Sequence, residues 1–302
     1  MPTLEAIIKK KVERLETVPD NLAISVKKAQ KEIYNDVLDL LGKLERKEGM
    51  ITMSKSNLLL IDEITLKTRK VVLGSDYVDS VQSFVNEFDS QAKINDSFFK
   101  KMDVTMTEEA LTNQMVISAK KNSAELLLGT PMDAQFLQPI KTLLDDAVSS
   151  GASWSKTVAN IQTFVLGNEE VDGRLLRYSK QIASDSFATA DRAYTNVVAD
   201  DAGFEWYLYT GGIIQDTREF CAQRNNNYYH YKEVEKWGTL SDWSGRMPNT
   251  DSQTIFITCG GFNCKHSLIP TSVFAVPIAD VKRNISNGNY NPSEEVAKEL
   301  GL

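Results

Sequence analysis

The stretch LAISVKKAQKEIYNDVLDLLGKL, residues 22–44, decides the fold of the first half of the chain. Its apolar side chains fall at Leu22, Val26, Ala29, Ile33, Val37, Leu40, Leu41 and Leu44. Steps of three and four residues place them on one stripe of an α-helix, with Lys and Glu on the other face. Gly42 is a mild interruption. The stop is expected at Lys47-Glu-Gly49, where glycine can take left-handed backbone.

Outward from this helix, Val78, Val81, Phe84, Val85 and Phe88 repeat the pattern in a second one. Thr107-Glu-Glu-Ala110 carries the cap and first-turn acids of a third, which runs to Leu128 until Gly129-Thr-Pro131 breaks it. Further helices are predicted over residues 134–148, 155–165 and 170–199, with a linker at 149–153. Near Asp201 the texture changes to tryptophans, tyrosines, paired glycines and β-branched runs. Two short strands are predicted there, 204–210 and 254–258, with a turn at Gly211-Gly212. Pro292 and Ser293 signal a capped terminal helix. The expected fold class is α+β and predominantly helical: a long N-terminal helical region, then a small C-terminal α+β module with short strands. By texture the chain divides into a helical, partner-binding region at 1–150, connecting helices at 151–200, and the module with its helical tail at 201–302.

The 302 residues are 42% hydrophobic and 25% charged, enough to bury a core without disulfide support. A formal net charge of −7 argues against direct DNA binding. Lys9-Lys-Lys11 and Lys27-Lys28 read as solvated helix faces. The N-terminus, MPTLEAIIKKKVERLE, lacks the apolar core of a signal peptide, and the apolar run at 58–61 ends at Asp62, so no membrane span is expected. Three cysteines without an export signal are expected as free thiols or metal ligands.

Those cysteines are concentrated. Thr258-Cys-Gly-Gly-Phe-Asn-Cys-Lys-His266 holds two of the three and one of the two histidines, and Cys221 closes Asp216-Thr-Arg-Glu-Phe-Cys221. Cys221, Cys259, Cys264 and His266 form a candidate Cys3His zinc set, in which Gly260-Gly261 would let the loop turn and Cys264 and His266 would point to one side of an extended strand. The plainer alternative is a packed corner of buried thiols. A cysteine nucleophile is a third reading: Cys221 or Cys264 with His266 or His230, the ring oriented by Asn263 or Asp216. Arg218, Arg224 and Arg246 are expected to pair with Asp216, Glu233 or Glu235 in an ion-pair network that fixes the loops. Asn263 is expected to cap the turn before Cys264. The run Tyr228-Tyr229-His230-Tyr231 is read as packing or a partner surface rather than as a base-stacking platform.

The ordered set Asp216-Thr-Arg218, Phe220-Cys221, Trp237, Gly245-Arg246, Phe256, Gly260-Gly261-Phe-Asn263-Cys264-Lys265-His266 and Pro270, preceded by a helix over 187–196, resembles the C-terminal module of Mu F-like phage head morphogenesis proteins, the minor head proteins of tailed bacteriophages. The resemblance covers about residues 184–277. Lys265 stands where arginine is common in that family, keeping the charge and losing the fork. The resemblance implies a low-copy structural virion protein rather than an enzyme, located in the head interior or at the portal vertex and made in the host cytoplasm. Its implied partners are the portal protein, other head proteins and further copies of itself, and its implied role is head morphogenesis and DNA delivery. The alternative is a zinc- or cysteine-dependent hydrolase acting during DNA entry.

Overall fold

The computed structural model describes residues 2–74, 76–105, 109–240 and 243–302. The expected helix start at Thr107-Glu108 lies outside them. In chain order, α1 (Leu4–Leu41) leads into a hairpin of β1 (Arg46–Lys47) and β2 (Met50–Ile51). Then follow α2 (Lys55–Gly74), α3 (Asp76–Lys101), α4 (Glu109–Leu128), the single turn α5 (Thr130–Met132), a π-helical turn, α6 (Gln138–Ser149), α7 (Trp154–Leu166) and α8 (Arg174–Asp201). The remainder is β3 (Trp206–Thr210), α9 (Glu219–Arg224), β4 (Asn227–His230), α10 (Tyr231–Gly238), α11 (Ile255–Thr258), β5 (Ser267–Thr271), α12 (Ile278–Ser286) and α13 (Glu294–Leu300). The protein is a predominantly helical α+β fold.

Contacts divide it into two compact units that are not continuous in sequence. One comprises residues 18–87 and 120–183; the other comprises 1–17, 88–119 and 184–302. The helices α1, α3, α4 and α8 each contribute residues to both. The sequence segmentation follows texture along the chain, whereas the units follow which helix faces bury each other.

In the first unit the α1 stripe is buried as its spacing requires, with Val26, Ile33, Val37 and Leu41 fully inside. The helix begins at Leu4 rather than near Leu22 and runs through Pro19. It ends before Gly42, not at Gly49. Glu48 (φ 53°) and Gly49 (φ 80°) instead make the turn of the β1–β2 hairpin, since two successive positive φ values suit a tight antiparallel connection. Buried Asn57 fixes that hairpin, donating to the carbonyls of Glu45 (3.1 Å) and Thr52 (2.7 Å) and accepting from the Glu45 amide (2.8 Å). Helix α2, which has no counterpart among the elements expected from sequence, buries one helical face through Ile61, Ile64, Thr68 and Val72. Gly129 ends α4 as expected, and the chain restarts at once because Pro131 suits a first helical turn.

The second unit is built on an antiparallel sheet in the order β4-β3-β5. Trp206 pairs with His230 on one side and Thr271 on the other; Tyr209 pairs with Asn227 and Leu268. Tyr207 and Tyr209 enter a core with Phe98, Phe99, Trp237 and Ile269, while Trp206 packs with Val276 and Val281. Pro270 lies opposite Tyr207 on β5, an edge strand, where its missing N–H is tolerated. Residues 254–258 are not the expected strand. The Asp251 carboxylate accepts from the amides of Gln253 (2.9 Å) and Thr254 (2.7 Å), which starts a helical turn, and Ile255 and Thr258 bury the same side of α11. The local cap prevails over the β-branched composition. The terminal helix α13 is capped as read: Ser293 accepts from the Val296 amide at 3.3 Å.

Candidate metal centre

Three segments of the second unit converge. Cys221 comes from the short α9, Cys264 from the turn after α11, and His266 from the residue before β5. One ligand atom from each lies within 4.8 Å of the others, and all three side chains are buried. The Cys221 and Cys264 sulfurs are 3.9 Å apart and unbonded. Two thiolates on a tetrahedral zinc, with Zn–S of about 2.3 Å, stand about 3.8 Å apart, so the pair is already at ligand spacing. The His266 Nε2 is buried without a protein hydrogen-bond partner. An orphaned imidazole nitrogen beside two thiols fits a divalent soft metal, and these are the residues that would hold it.

Tyr209 of β3 forms the floor. Its hydroxyl donates to the Cys221 sulfur at 3.3 Å, and its ring stacks on His266 at 5.2 Å between centroids. Hydrogen bonding to Cys221, more than any other influence, pulls the Cys264 thiol well below its usual range; Arg192 and His266 act in the same direction, and burial opposes them. Cys221 is pushed up by the same bond and by burial. The two sulfurs thus shift in opposite directions through one shared contact. Gly260 makes room for both sulfurs: a Cβ there would stand 2.3 Å from Cys221 Sγ and 2.9 Å from Cys264 Sγ. Gly261 is required by its backbone, at φ +90° and with the Gly245 carbonyl 1.9 Å from where a Cβ would be.

Cys259 does not join the set. It ends α11 at φ 46°, its sulfur contacts the Phe256 carbonyl at 3.7 Å, and burial pushes its thiol up to about 12. The donor group is Cys2His, not Cys3His. His230 is also elsewhere: its Nδ1 accepts from the Lys232 amide at 3.4 Å, capping α10, and its ring packs on Trp206 and Tyr290. Among the described residues neither Asn263 nor Asp216 has a hydrogen bond to the His266 ring, so no oriented thiol–imidazole triad forms. Asn263 matters through its backbone, with φ 55° and its amide donating to the Asp185 carboxylate at 2.5 Å.

The arginines bind carbonyls and rings rather than the expected carboxylates. Arg218 donates to the Phe262 carbonyl at 2.6 Å and to the Gly260 carbonyl at 3.4 Å. Arg246 donates to the carbonyls of Gly238 (3.2 Å) and Thr250 (2.5 Å). Arg224 lies 3.9 Å over the Phe220 ring and 4.8 Å from that of Trp237. No ion pair joins these arginines to Asp216, Glu233 or Glu235 among the described residues. Tyr229 packs edge-on against Trp237 at 4.7 Å, in keeping with a packing role for its tyrosine run.

The residue the sequence reading passed over is Arg192 of α8. It is 3% exposed and donates Nε to the His266 carbonyl (2.9 Å), one terminal nitrogen to the Ile257 carbonyl (3.2 Å) and the other to the Cys264 carbonyl. A single guanidinium thus fixes the backbone of the whole donor loop. Its signal was positional: Ala188, Asp191, Arg192 and Thr195 all fall on the buried face of α8. Beside the cluster opens a cleft of about 360 Å³, lined by Glu16, Asp216, Arg218 and Lys265 as well as by Cys221, Cys264 and His266.

A scan against family models and searches of the curated proteins and of the solved structures found no match to this chain.

Proposed function

We propose that this chain is a minor head protein of a tailed bacteriophage, a structural virion component that associates with the portal and acts in head morphogenesis. The observation that carries the reading is the convergence of the resembling residues. Arg218, Cys221, Gly245, Gly260, Gly261, Asn263, Cys264 and His266 come from three separate stretches of sequence and meet in one clasp, where Arg218 donates to the carbonyls of Gly260 and Phe262 and the Asn263 amide to the Asp185 carboxylate. That is the economy of a structural module. Cys221, Cys264 and His266 are the residues that would hold a zinc ion, which would then tie α9, the donor loop and the start of β5 together. The helical part supplies apolar stripes for the portal, for other head proteins or for a second copy. No helix among the described residues is long and apolar enough to cross a membrane.

Co-expression with the portal protein of the same phage, followed by pull-down, is expected to recover a complex, and peptides of the chain are expected in purified particles. Absence from particles together with no portal binding would remove the reading. The cleft of about 360 Å³ at the donor group supports a second reading, a zinc-dependent hydrolase, because a three-ligand metal keeps a position open to substrate or water. Zinc-dependent turnover of peptide or cell-wall substrates, lost in Cys264→Ser, would favour it.

A further inference from the structure

The lysine run near the N-terminus is not all solvated. Lys9 and Lys10 are exposed, but Lys11 is 0% exposed. It lies on the same stripe of α1 as Ile7, Leu15 and Val18, so the helix that buries those residues buries it too. Its ammonium nitrogen is 2.6 Å from Asn95 Oδ1, 2.9 Å from Asp191 Oδ1 and 2.5 Å from Thr195 Oγ1. The same Asp191 oxygen accepts from Asn95 Nδ2 at 3.1 Å and from Gln91 Nε2 at 2.8 Å. Asp191 Oδ2 is buried with no protein partner.

An amine, a primary amide and a carboxyl group thus form one closed triangle from which bulk water is excluded. We propose that Lys11 and Asn95 join in an intramolecular isopeptide bond, with Asp191 as the proton carrier. Asp191 takes a proton from the Lys11 ammonium, which leaves a neutral amine. The Lys11 nitrogen bonds to Asn95 Cγ, its second proton passes through Asp191 to Nδ2, and the Cγ–Nδ2 bond breaks. One amine and one primary amide become one secondary amide and one ammonia. The ammonia leaves as ammonium, and Asp191 returns to its carboxylate. No oxidant or other reactant is needed.

Three features favour the step. Burial above all lowers the Lys11 pKa, against the attraction of Asp191, so the neutral nucleophile is easier to reach than on a surface lysine. The orphaned Asp191 Oδ2 has a place for the transferred proton. A cavity of about 20 Å³ beside Gln91, Asn95 and Asp191 has room for one water-sized molecule, such as the departing ammonia. The product would tie α1 to α3 covalently within this unit, whatever the chain's role.

The test is the intact mass of the purified full chain under denaturing conditions, followed by tandem spectra of its peptides. The expected result is a mass lower than that of the sequence by one ammonia, with a branched peptide joining Lys11 to Asn95. Lys11→Arg keeps the charge, removes the nucleophile, and is expected at full mass. A succinimide at Asn287-Gly288 would mimic the mass loss. If the branched peptide is absent and the loss maps there, the proposal fails. Full mass in the wild-type chain also overturns it, as does loss of one water with a Lys11–Asp191 link.

Discussion

Arg192 Nε donates to the His266 carbonyl oxygen at 2.9 Å, so a charged side chain of α8 holds the backbone of a metal-ligand candidate from below. The donor loop has its own caps and turns, but its registration against the helix depends on this guanidinium. Lysine has a compact ammonium in place of the planar fork and cannot satisfy three separated carbonyls. Arg192→Lys is therefore expected to leave buried acceptors unpaired and to destabilise the second unit by about 2–4 kcal/mol. The measurement is the urea midpoint; an unchanged midpoint would show that the loop closes without the fork.

Gly260 is a packing glycine. Its φ is not in the left-handed region, and the obstacle to a side chain is the pair of sulfurs, 2.3 and 2.9 Å from a would-be Cβ. Gly260→Ala should cost about 1–3 kcal/mol by overpacking. Gly74 at the end of α2 has nothing within 4 Å of the same position. Gly74→Ala should be neutral or stabilise by up to about 1 kcal/mol. Thermal melts of the two variants side by side separate a steric requirement from a general intolerance of alanine.

Zinc should stabilise the folded chain in proportion to its binding, by about 2.7 kcal/mol at a free concentration a hundred times Kd. The response is expected to vanish in Cys264→Ser and His266→Ala and to persist in Cys259→Ser, whose sulfur lies outside the ligand group. Thiol titration of the native protein supplies a second readout, with Cys221 and Cys264 protected by the metal. Equal zinc responses in the wild type and in Cys264→Ser would place the ion elsewhere.

His230 gives stability a pH dependence of known sign. Burial, with help from Lys232, lowers its pKa from 6.5 to about 4. The unfolded chain takes up the proton near 6.5 and the folded chain only near 4, so the unfolded state binds more protons between them. Stability from this residue is complete above about 6.5 and falls as pH drops towards 4. Protonation of Nδ1 would also remove the acceptor that caps α10. His230→Asn keeps a capping oxygen and should flatten the profile between pH 7 and 4.5 in urea melts. A parallel profile would assign the slope to carboxylates instead.

Particular residues show how far the site was legible. The α1 stripe was readable because helical spacing is local, and the same spacing contained the missed evidence: Lys11 and Asp191 sit at positions that periodicity reserves for apolar side chains. Cys221, Cys264 and His266 were found as a group because rare residue types stand out in a sequence. Cys259 was misassigned because its direction depends on a positive φ at the end of α11, which no spacing rule supplies. The 254–258 run is β-branched in composition yet helical, because the Asp251 carboxylate caps its first amides.

The sequence by itself determined that the chain is mostly helical with a small C-terminal sheet, and that its scarce thiols and imidazole belong to that part. Periodicity and composition are local properties, set by the chain's own geometry and by the need to bury one face. Tertiary structure alone decided that the donor set is Cys2His, that Arg192 rather than a carboxylate network holds the loop, and that Lys11 lies against Asn95 and Asp191. Those pairings join residues scores of positions apart, and a buried polar group is satisfied by whichever partner the packing brings within hydrogen-bond reach.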